Sequence, residues 1–526
     1  MKRIILITGF CFLALHLIFA ETVNLINAGA DNTGKKSNTA IIKKIINNLS
    51  AKGGGTLFFP SGNYLTGPIE LKSNITLDLE SGAVLNFSDN FDEYLPYVEM
   101  RYEGVVMKSF HPLIYAYEAE NITIKGRGTL NGNGQAWWNA VLKNEFNSEG
   151  KRDLSKYQTF WDEANKDLKL EEKSDWKGTL ARRFFRPPFF QAYKSSNILI
   201  EGVKFINSPF WTINPEFCSN IRVTGVTIEN PASPNTDGIN PSSCKYVHIS
   251  DCHITVGDDC ITIKSGRDKQ GRDYATPCEN ITITNCTMLK GHGGVVIGSE
   301  MSGDVKKVTI SNCVFDGTDR GIRIKSTRGR GGVVEDIRVS NIVMKNILKE
   351  AITFNLFYTK VPEEPASERT PIFRNIHISN MTGTNVNAAA LIIGLPEMPV
   401  SDITFTDIDL RTKTGFVIKD AYGVNFDGVT IDAETGPSFI FERVREAHLS
   451  KLKTMKPNPG APVVKISDCQ DLMVQNNFPL SGSSSFIEID GIKTKGIVFL
   501  GNYFNRLSNP VMKDEGLADN ALIYIK

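Results

Sequence analysis

The sequence has almost no net charge, and beyond residue 20 it has no long apolar run. Its 59 lysines and arginines are balanced by 58 aspartates and glutamates, so the formal net charge is +1. A chain this close to neutral has no overall basic field, which argues against nucleic acid as a partner. No later stretch is long and apolar enough to predict a membrane span. Any recognition by charge must therefore be local.

The N-terminal segment, 1–20, differs from the rest of the chain. A short basic head, Met1 to Arg3, precedes an apolar run over 4–20. This layout predicts a secretory signal peptide, residues 1–20, whose removal leaves a mature chain that starts near Glu21. The alternative is a membrane anchor, for which the run is slightly short. We expect an exported protein, periplasmic or extracellular, with no membrane span after cleavage.

A short pattern of alternating residues recurs along most of the chain. Each copy has a polar residue, in many cases Asn, followed by Ile or Val alternating with polar residues. Alternation at period two predicts short β-strands. The copies are marked by an Ile or Val at these positions: Ile75, Ile122, Ile198, Ile221, Val247, Ile281, Val308, Ile337, Ile376 and Ile403.

The spacing of these markers indicates the fold class. From Ile198 to Ile403 the markers recur at a nearly regular interval, with one longer gap between Ile337 and Ile376. Such a repeat is typical of a solenoid, in which each unit buries its apolar edge only against its neighbours. Short strands without helices between them favour a parallel β-helix, and the Ile, Val, Thr and Asn consensus disfavours leucine-rich repeats. The sequence therefore predicts one all-β domain over 21–526.

Two segments depart from the repeat. Residues 37–51 have a helical pattern that Asn38 or Thr39 can cap and that the glycines of 53–55 end. We expect this helix to cap the N-terminal end of the solenoid. Residues 139–180 are charged and partly helical, which indicates a loop insertion or lid rather than a second domain.

The cysteines also follow the repeat. Eight lie beyond the signal peptide, an even number that in an exported chain is typical of disulfides. Yet Cys252, Cys286 and Cys313 occupy one position of successive repeats, and Cys244 and Cys278 occupy another. Equivalent positions of a solenoid stack, and a free thiol packs like a small apolar residue. We therefore predict stacked thiols rather than a disulfide framework.

Several polar residues lie at similar distances after the markers of successive repeats. Six of them follow their marker at nearly the same offset along the chain. Similar offsets place side chains on one side of a solenoid, and neighbouring strands lie about 4.8 Å apart. One groove should therefore collect charges of both signs. The six residues are Asp237, Asp258, Asp259, His292, Arg323 and Lys325.

Each of these motifs has an ordinary interpretation when taken alone. The Asp of "NTDG" is usually a turn former, and "GDD" is a turn or a calcium loop. The "GHG" histidine can be an exposed loop residue, and "RIK" a solvated strand face. In "RGIRIKS", however, alternation places Ile322 and Ile324 on the core side and Arg323 and Lys325 on the other. The ordered occurrence of all four motifs favours a site.

These motifs are also a family's signature. In this order on such a ladder, "NTD", "GDD", "GHG" and "RIK" resemble the polygalacturonases of glycoside hydrolase family 28, and "GGGTLFFPSGNYLTGPIELKSNITLDLESGAVL" resembles the first turns of that family. The resemblance covers 21–440, and the segment after it resembles only further, weaker rungs. It implies a right-handed parallel β-helix. It also implies a secreted, pectin-degrading enzyme that hydrolyses α-1,4-galacturonosyl linkages in polygalacturonate with inversion.

The resemblance implies a role for each matching residue. Asp258 would be the general acid, and Asp237 and Asp259 would hold and deprotonate the attacking water. Inverting hydrolases place their carboxyl groups about 6.5–9.5 Å apart. Clustered aspartates cannot all ionise cheaply, so Asp258 is expected to keep its proton, supported by His292. The implied substrate-binding residues are Arg323, Lys325, Tyr358 and Asn235.

Other functions stay open at this stage. The nearest is a rhamnogalacturonan or xylogalacturonan hydrolase of the same family. A pectate lyase would hold calcium on the aspartates, and a non-catalytic solenoid would bind polysaccharide without cleaving it. Two cations next to the aspartates disfavour a divalent ion. We therefore expect no metal and no cofactor, an acidic polysaccharide as the substrate, and a monomer.

The insertion bears on the cutting mode. Because residues 139–180 precede the catalytic repeats, they can wall off one end of the groove, where Arg182, Arg183 and Arg186 would meet a terminal sugar. This arrangement predicts an enzyme that releases one or two sugars from a chain end. The alternative is an insertion that packs on the far side of the solenoid and leaves a groove open at both ends.

Overall fold

The repeated segments form the rungs of a solenoid. Each marker pairs in parallel with the marker of the next repeat, from Ile122 through Ile403. The predicted right-handed parallel β-helix is therefore confirmed. The computed structural model describes residues 21–142, 154–174, 176–230, 233–518 and 520–525.

Most strands belong to one ladder of parallel pairs along the described chain. Three others form a small parallel sheet, Ile69–Leu71, Ile114–Tyr117 and Phe190–Tyr193. Two form an antiparallel pair, Val98–Tyr102 and Val105–Ser109, which we call the wall hairpin. The strands of the ladder are Glu21–Asn24, Thr33–Ser37, Gly55–Phe59, Gly62–Thr66, Ile75–Leu79, Ala83–Phe87, Glu120–Gly126, Thr129–Asn131, Ser196–Glu201, Lys204–Ile206, Ser219–Thr224, Thr227–Asn230, Lys245–Ser250, His253–Val256, Asp259–Ile263, Cys278–Thr284, Thr287–Lys290, Gly293–Gly298, Val305–Asp316, Ile322–Lys325, Val333–Asn355, Ile372–Ile393, Val400–Ala433, Phe439–Ser450, Val464–Ser467, Gln470–Gln475, Ile487–Asp490, Lys495–Leu500, Val511–Lys513 and Leu522–Ile525.

The asparagine in front of many markers has a structural role. Asn121, Asn197 and Asn220 have φ values of 56°, 54° and 55°, a left-handed conformation that Asn tolerates better than most residues. Each side-chain amide donates to the asparagine of the preceding rung, at 2.7 Å for Asn121 to Asn74 and 2.9 Å for Asn197 to Asn121. Asn220 continues the row at 3.1 Å from Asn197. This ladder of amides explains the recurring polar residue in the repeat.

The predicted cap is confirmed as the helix Thr39–Ala51, which packs against the first strands of the ladder through buried Ile42 and Ile46. Asn38 does not cap it with its side chain. That amide instead bonds the backbone of Asp31, accepting from its N–H at 2.8 Å and donating to its carbonyl at 2.9 Å. The other helices described are Gln135–Leu142, Ser155–Ala164, Lys177–Leu180, Asp268–Tyr274 and the 3₁₀ turn Phe91–Tyr94.

The cysteines are packed as predicted. All eight in the described part are free and buried. The amide of Cys244 lies 3.4 Å from the sulfur of Cys278 on the next rung, which is the stacking that the repeat positions indicated. The thiols therefore serve as small core residues, and the prediction of thiols rather than disulfides is confirmed.

The ends of the chain add two observations. The predicted signal peptide, residues 1–20, lies outside the described residues. Within the described part, no helix is both long enough and apolar enough to cross a membrane. The weak C-terminal repeats do form rungs, with Val464–Ser467 pairing with Ile487–Asp490 and Lys495–Leu500 with Leu522–Ile525.

Candidate active site

The predicted site residues come from consecutive rungs of one face. Ile239 bridges Ile261 of the next rung, which places Asp237 and Asp259 side by side. One rung further, Asp259 pairs with Gly293, and on the rung after that Arg323 pairs with Val296. The matching offsets in the sequence thus correspond to stacked positions along a groove.

The three aspartates meet at the centre of this groove. One carboxylate oxygen from each lies within 4.8 Å of the others. Their side chains differ in access, with 4% of Asp237, 17% of Asp258 and 1% of Asp259 exposed. These are the nearest oxygen atoms, whereas the ~6.5–9.5 Å typical of inverting hydrolases separates whole carboxyl groups, so the expected separation stays a prediction. Asp258 is the only one of these three that solvent reaches appreciably.

Asp258 is held by partners on two sides. The Nδ1 atom of His292 lies 3.0 Å from its Oδ1, and the amide of Asn235 donates to its Oδ2 at 3.4 Å. Arg186 fixes Asn235 by donating to its Oδ1 at 2.8 Å. Asn235 was expected to bind substrate, and in this structure it bonds the central carboxylate of the cleft. His292 is half-exposed, so its ring connects Asp258 with solvent.

Burial and neighbouring charges separate the acidities of the aspartates. Burial, together with the charge of Asp258, raises the pKa of Asp237 well above its usual value. Burial would also raise the pKa of Asp258, but the hydrogen bond from His292 and the charge of Lys325 lower it overall. The hydrogen bond to Asp258 raises the pKa of His292. The raised pKa of Asp237 and the lowered pKa of Asp258 are the reverse of the expected order, and the role of Asp258 as the group that keeps its proton stays a prediction.

Arg323 and Lys325 face the groove, as alternation predicted, but they are already engaged. Lys325 Nζ lies 2.7 Å from Asp259 Oδ2, and Arg323 Nη1 lies 3.4 Å from Asp259 Oδ1. Lys325 is only 5% exposed, so it is buried although its strand turns it away from the core. Both cations also lie over the half-exposed ring of Tyr358, at 5.1 Å for Lys325 and 5.7 Å for Arg323.

The structure adds residues that sequence reasoning missed. Lys264 Nζ lies 4.0 Å from Asp237 and 2.8 Å from Glu300, and it sits 4.5 Å above the ring of Trp211. Arg267 continues the row of charges, 3.5 Å from Glu300. The charges of Lys264 and Arg267 lower the pKa of Glu300 well below its usual value, although burial alone would raise it. Alternation in "CITIKSG" could have placed Lys264 on the groove face, as it did Lys325.

One end of the groove is covered. The wall hairpin and the insertion pack together in an aromatic cluster that includes Trp161 and Trp176. Tyr102 of the hairpin stacks on Phe210 at 4.4 Å, and Trp211, the neighbour of Asp237 on the preceding rung, is only 4% exposed. The groove is therefore covered on the side of Asp237 that faces the preceding rungs. The alternative, in which the insertion lies on the far side, is wrong for its described residues.

A buried arginine anchors this cover. Arg101 of the wall hairpin donates from Nη1 to Glu216 at 3.3 Å and to Ser243 at 2.8 Å, on rungs that precede Lys264. Its side chain runs against Gly266, whose φ of +98° and missing side chain leave the room for the guanidinium. The hairpin is thus fixed to the floor of the groove.

The three arginines that follow the insertion have protein partners. Arg183 pairs with Asp162 at 2.7 Å, and the side chain of Arg182 donates to the carbonyl of Thr179. Arg186 is buried and bonds Asn235. The expected contact of these guanidinium groups with a terminal sugar stays a prediction.

The site residues line one continuous cleft. His292 lies beside this cleft in contact with Asp258, and Arg323 lies beside it in contact with Asp259. The aspartates also present oxygens close enough to hold a cation, but the ammonium groups of Lys325 and Lys264 already balance them. The cleft is lined by Glu103, Trp211, Asn235, Asp237, Asp258, Asp259, Lys264, Arg267, Ser299, Glu300, Lys325, Arg330, Tyr358 and Thr359.

The sequence of this chain is similar to those of known proteins. Residues 172–425 match Glycosyl hydrolases family 28, and residues 22–102 match Rhamnogalacturonase A/epimerase, pectate lyase-like. The chain is 30% identical over 428 residues to a probable polygalacturonase of Vitis vinifera, covering 78% of this chain and 79% of that relative. The chain belongs to glycosyl hydrolase family 28. It is therefore a glycoside hydrolase, and the resemblance seen in the motifs is confirmed.

Family 28 relatives of both cutting modes resemble this chain. An endo-polygalacturonase of Pectobacterium carotovorum subsp. carotovorum is 28% identical over 389 residues, covering 73% of this chain and 86% of that relative. The solved structure of a hyperthermoactive exopolygalacturonase from Thermotoga maritima is 34% identical with a TM-score of 0.69. That alignment covers 79% of this chain and 92% of the other. Membership of family 28 alone thus leaves the cutting mode to the geometry of the groove.

The burial of Lys325 generates a first prediction. Replacing Lys325 with Met leaves Asp259 buried with one cation fewer, so the free energy of unfolding should fall by about 3–5 kcal/mol. Denaturant unfolding of the wild type and the variant measures this difference in free energy. The control is Lys307→Met, which removes a 57% exposed lysine from a neighbouring strand and should cost less than about 1 kcal/mol. Equal, small losses in both variants would contradict the buried pair.

The contact between His292 and Asp258 generates a second prediction. Because Asp258 raises the pKa of His292, NMR titration of the ring should give a value above its ordinary 6.5. In Asp258→Asn the pKa of His292 should fall, because the hydrogen bond to the carboxylate and its charge are both lost. Asp319→Asn is the control, because Asp319 contributes least and should lower the pKa less. A histidine pKa that Asp258→Asn leaves unchanged would show that the pair does not form.

Proposed function

We propose that this family 28 enzyme hydrolyses α-1,4-galacturonosyl linkages of polygalacturonate from a chain end, with inversion. The observation that carries the proposal is the cluster of three aspartates, two of them buried and one accessible, balanced by cations in a groove that is covered on one side. The cations suit a polyanionic substrate, and the closed side suits an exo-acting enzyme. In this proposal the protein is exported by its leader and meets pectin outside the cytoplasm.

Access supports Asp258 as the proton donor. A general acid must reach the leaving oxygen, and Asp258 is the most exposed of the three aspartates. Asp237 and Asp259 are buried beside it, where they can hold a water and accept its proton. The acid must be protonated and the base ionised at the same moment. The different surroundings of the carboxyl groups promote this difference in protonation.

The proton must be on Asp258 when the bond breaks. The directions of the pKa shifts favour a proton on Asp237 and another on His292, whose Nδ1 lies 3.0 Å from Asp258. In the proposed mechanism His292 passes its proton to Asp258, which yields the neutral acid. Asp237 gives its proton to solvent water in the groove, and the charge of Lys264 at 4.0 Å stabilises the carboxylate that remains as the base. The three carboxyl groups and His292 titrate as one coupled set.

Arg323 and Lys325 provide the positive charge for a galacturonate carboxylate. The two cations share the single charge of Asp259, so the group of three carries one net positive charge next to the cleft. Tyr358 lies over both and offers a half-exposed ring to the sugar. Arginine can bind a carboxylate with two parallel hydrogen bonds, and lysine acts as a point charge. This balance favours uronate over neutral sugars.

The covered groove supports the exo mode. Trp211 and the wall hairpin occupy the rungs that precede Asp237, so a polysaccharide chain cannot continue past the aspartates in that direction. A closed end leaves room for only a few sugars between the stop and the scissile bond. An endo-acting enzyme needs a groove that is open on both sides.

The product profile on polygalacturonate tests the proposed function. We expect mono- or digalacturonate as the product from the earliest times, with viscosity falling slowly relative to the appearance of reducing ends. Samples taken at low conversion and separated by anion-exchange chromatography measure this directly. A rapid early drop in viscosity with a ladder of mixed oligomers would contradict chain-end cutting.

The anomer released first tests inversion. The short spacing of the aspartates does not by itself indicate inversion, which the proposal takes from the family resemblance. Hydrolysis of an α-linkage with inversion must release the β-anomer first, and proton NMR early in the reaction, before mutarotation, can detect it. Early accumulation of the α-anomer would indicate retention and remove Asp237 and Asp259 from the role of water activation.

A further inference from the structure

The tip of the wall hairpin carries a carboxylate into the cleft. Glu103 stands at the turn between the two hairpin strands, has a φ of 44°, and lines the same cleft as the three aspartates. It is far from them in sequence and belongs to none of the motifs. Its side chain is 22% exposed, so it can be reached from the cleft.

Two donors hold this carboxylate in place. The indole N–H of Trp176 donates to Glu103 Oε2 at 2.7 Å, and Arg267 Nη1 lies 3.4 Å from the same oxygen. Both contacts use Oε2, so in the described part of the chain Oε1 keeps its capacity to accept a hydrogen bond. Trp176 belongs to the insertion, and Arg267 belongs to the loop after the strand Asp259–Ile263. Three separate segments thus converge to fix one acceptor.

The position of Glu103 is the closed end of the groove. Contacts lead from it through Arg267 at 3.4 Å, Glu300 at 3.5 Å and Lys264 at 2.8 Å to Asp237 at 4.0 Å, all along one cleft. Beyond Glu103 lies the packed aromatic cluster of the hairpin and the insertion. A sugar that reaches Glu103 therefore has nowhere to extend.

A carboxylate at such a place can distinguish a chain terminus from an internal sugar. An ionised carboxylate only accepts hydrogen bonds. A free hydroxyl at the end of a polysaccharide donates one, whereas the bridging oxygen of a glycosidic linkage has no hydrogen to give. An internal sugar pressed against Glu103 would leave a half-buried charge without a donor, which is costly.

We propose that Glu103 is the residue that recognises the chain end, by accepting a hydrogen bond from a hydroxyl that exists only on a terminal galacturonate. The inference rests on the proposed exo mode and adds the chemical basis of its selectivity. The terminal hydroxyl comes from the non-reducing or the reducing end of the chain. Both sources offer the same donor, and the substrates chosen for the test distinguish them.

The test compares kcat/KM for pairs of oligogalacturonides that differ only at one terminus. One pair has either a saturated non-reducing end or a 4,5-unsaturated one, which lacks the 4-hydroxyl. The other has a native reducing end or a methyl glycoside, whose anomeric oxygen carries no hydrogen. In the wild type, one pair should show a preference of at least about ten-fold for the intact terminus, and that pair identifies the end that is bound.

Glu103→Gln should bring this preference close to one. The amide oxygen can stay with Trp176, but the NH₂ group cannot accept from the sugar. Glu99→Gln is the matched control, since Glu99 is on the same hairpin, outside the cleft lining, and near Lys194 at 3.6 Å. It should retain the wild-type preference. A merely structural role of Glu103 would lower both members of a pair equally and leave their ratio unchanged.

The outcomes separate the two proposals. Internal cutting by the wild type removes the exo mode and this inference with it. A wild type that cuts from ends but shows no preference in either pair overturns the role of Glu103 alone, and so does a preference that Glu103→Gln retains. If Glu103→Gln does not fold, which thermal melting will show, the wild-type ratios still decide, because the inference requires a preference there.

Discussion

Three carboxylates share one small volume in this protein only because positive charges surround them. Lys325 and Arg323 face Asp259, Lys264 faces Asp237 and Glu300, and His292 contacts Asp258. Without these partners, mutual repulsion and burial would protonate the cluster and leave no base. Each cationic side chain lies either on a different rung from the aspartate that it faces or at the end of the same strand. The register between rungs therefore determines which charges surround each carboxyl group, and so its pKa. A shift of one residue in any of these strands would turn its charged side chain into the core.

The same register explains how the groove acquires an end. The parallel ladder would by itself form a uniform trough. The wall hairpin crosses it one rung before Asp237 and is tied down by the buried pair of Arg101 and Glu216. Burial raises the pKa of Glu216 to about 7 although the charge of Arg101 opposes this shift, so the free energy of unfolding should fall as pH rises towards this value and the buried glutamate ionises. Substrate access and acid/base chemistry are thus built on adjacent rungs of one sheet.

Much of the architecture was predictable from sequence because a solenoid is periodic. Similar offsets from Ile221, Val247 and Ile281 correspond to neighbouring places on one face, which located the aspartates and His292 without any structure. What the sequence did not indicate depends on contacts between distant segments. Glu103 reaches the cleft from a hairpin that lies far before Asp237 in the chain. No sequence pattern indicates that these two segments come together in the fold.

The central claim is that Asp258, the accessible member of a charge-balanced cluster, donates the proton that breaks the glycosidic bond. The most direct measurement is kcat of Asp258→Asn on polygalacturonate, alongside calorimetric binding of a short oligogalacturonide. Removing a general acid typically costs about 10²–10⁴-fold in rate. We expect a loss of that order with substrate still bound. A variant that keeps a tenth of the wild-type kcat would show that the proton comes from another group and would contradict the account.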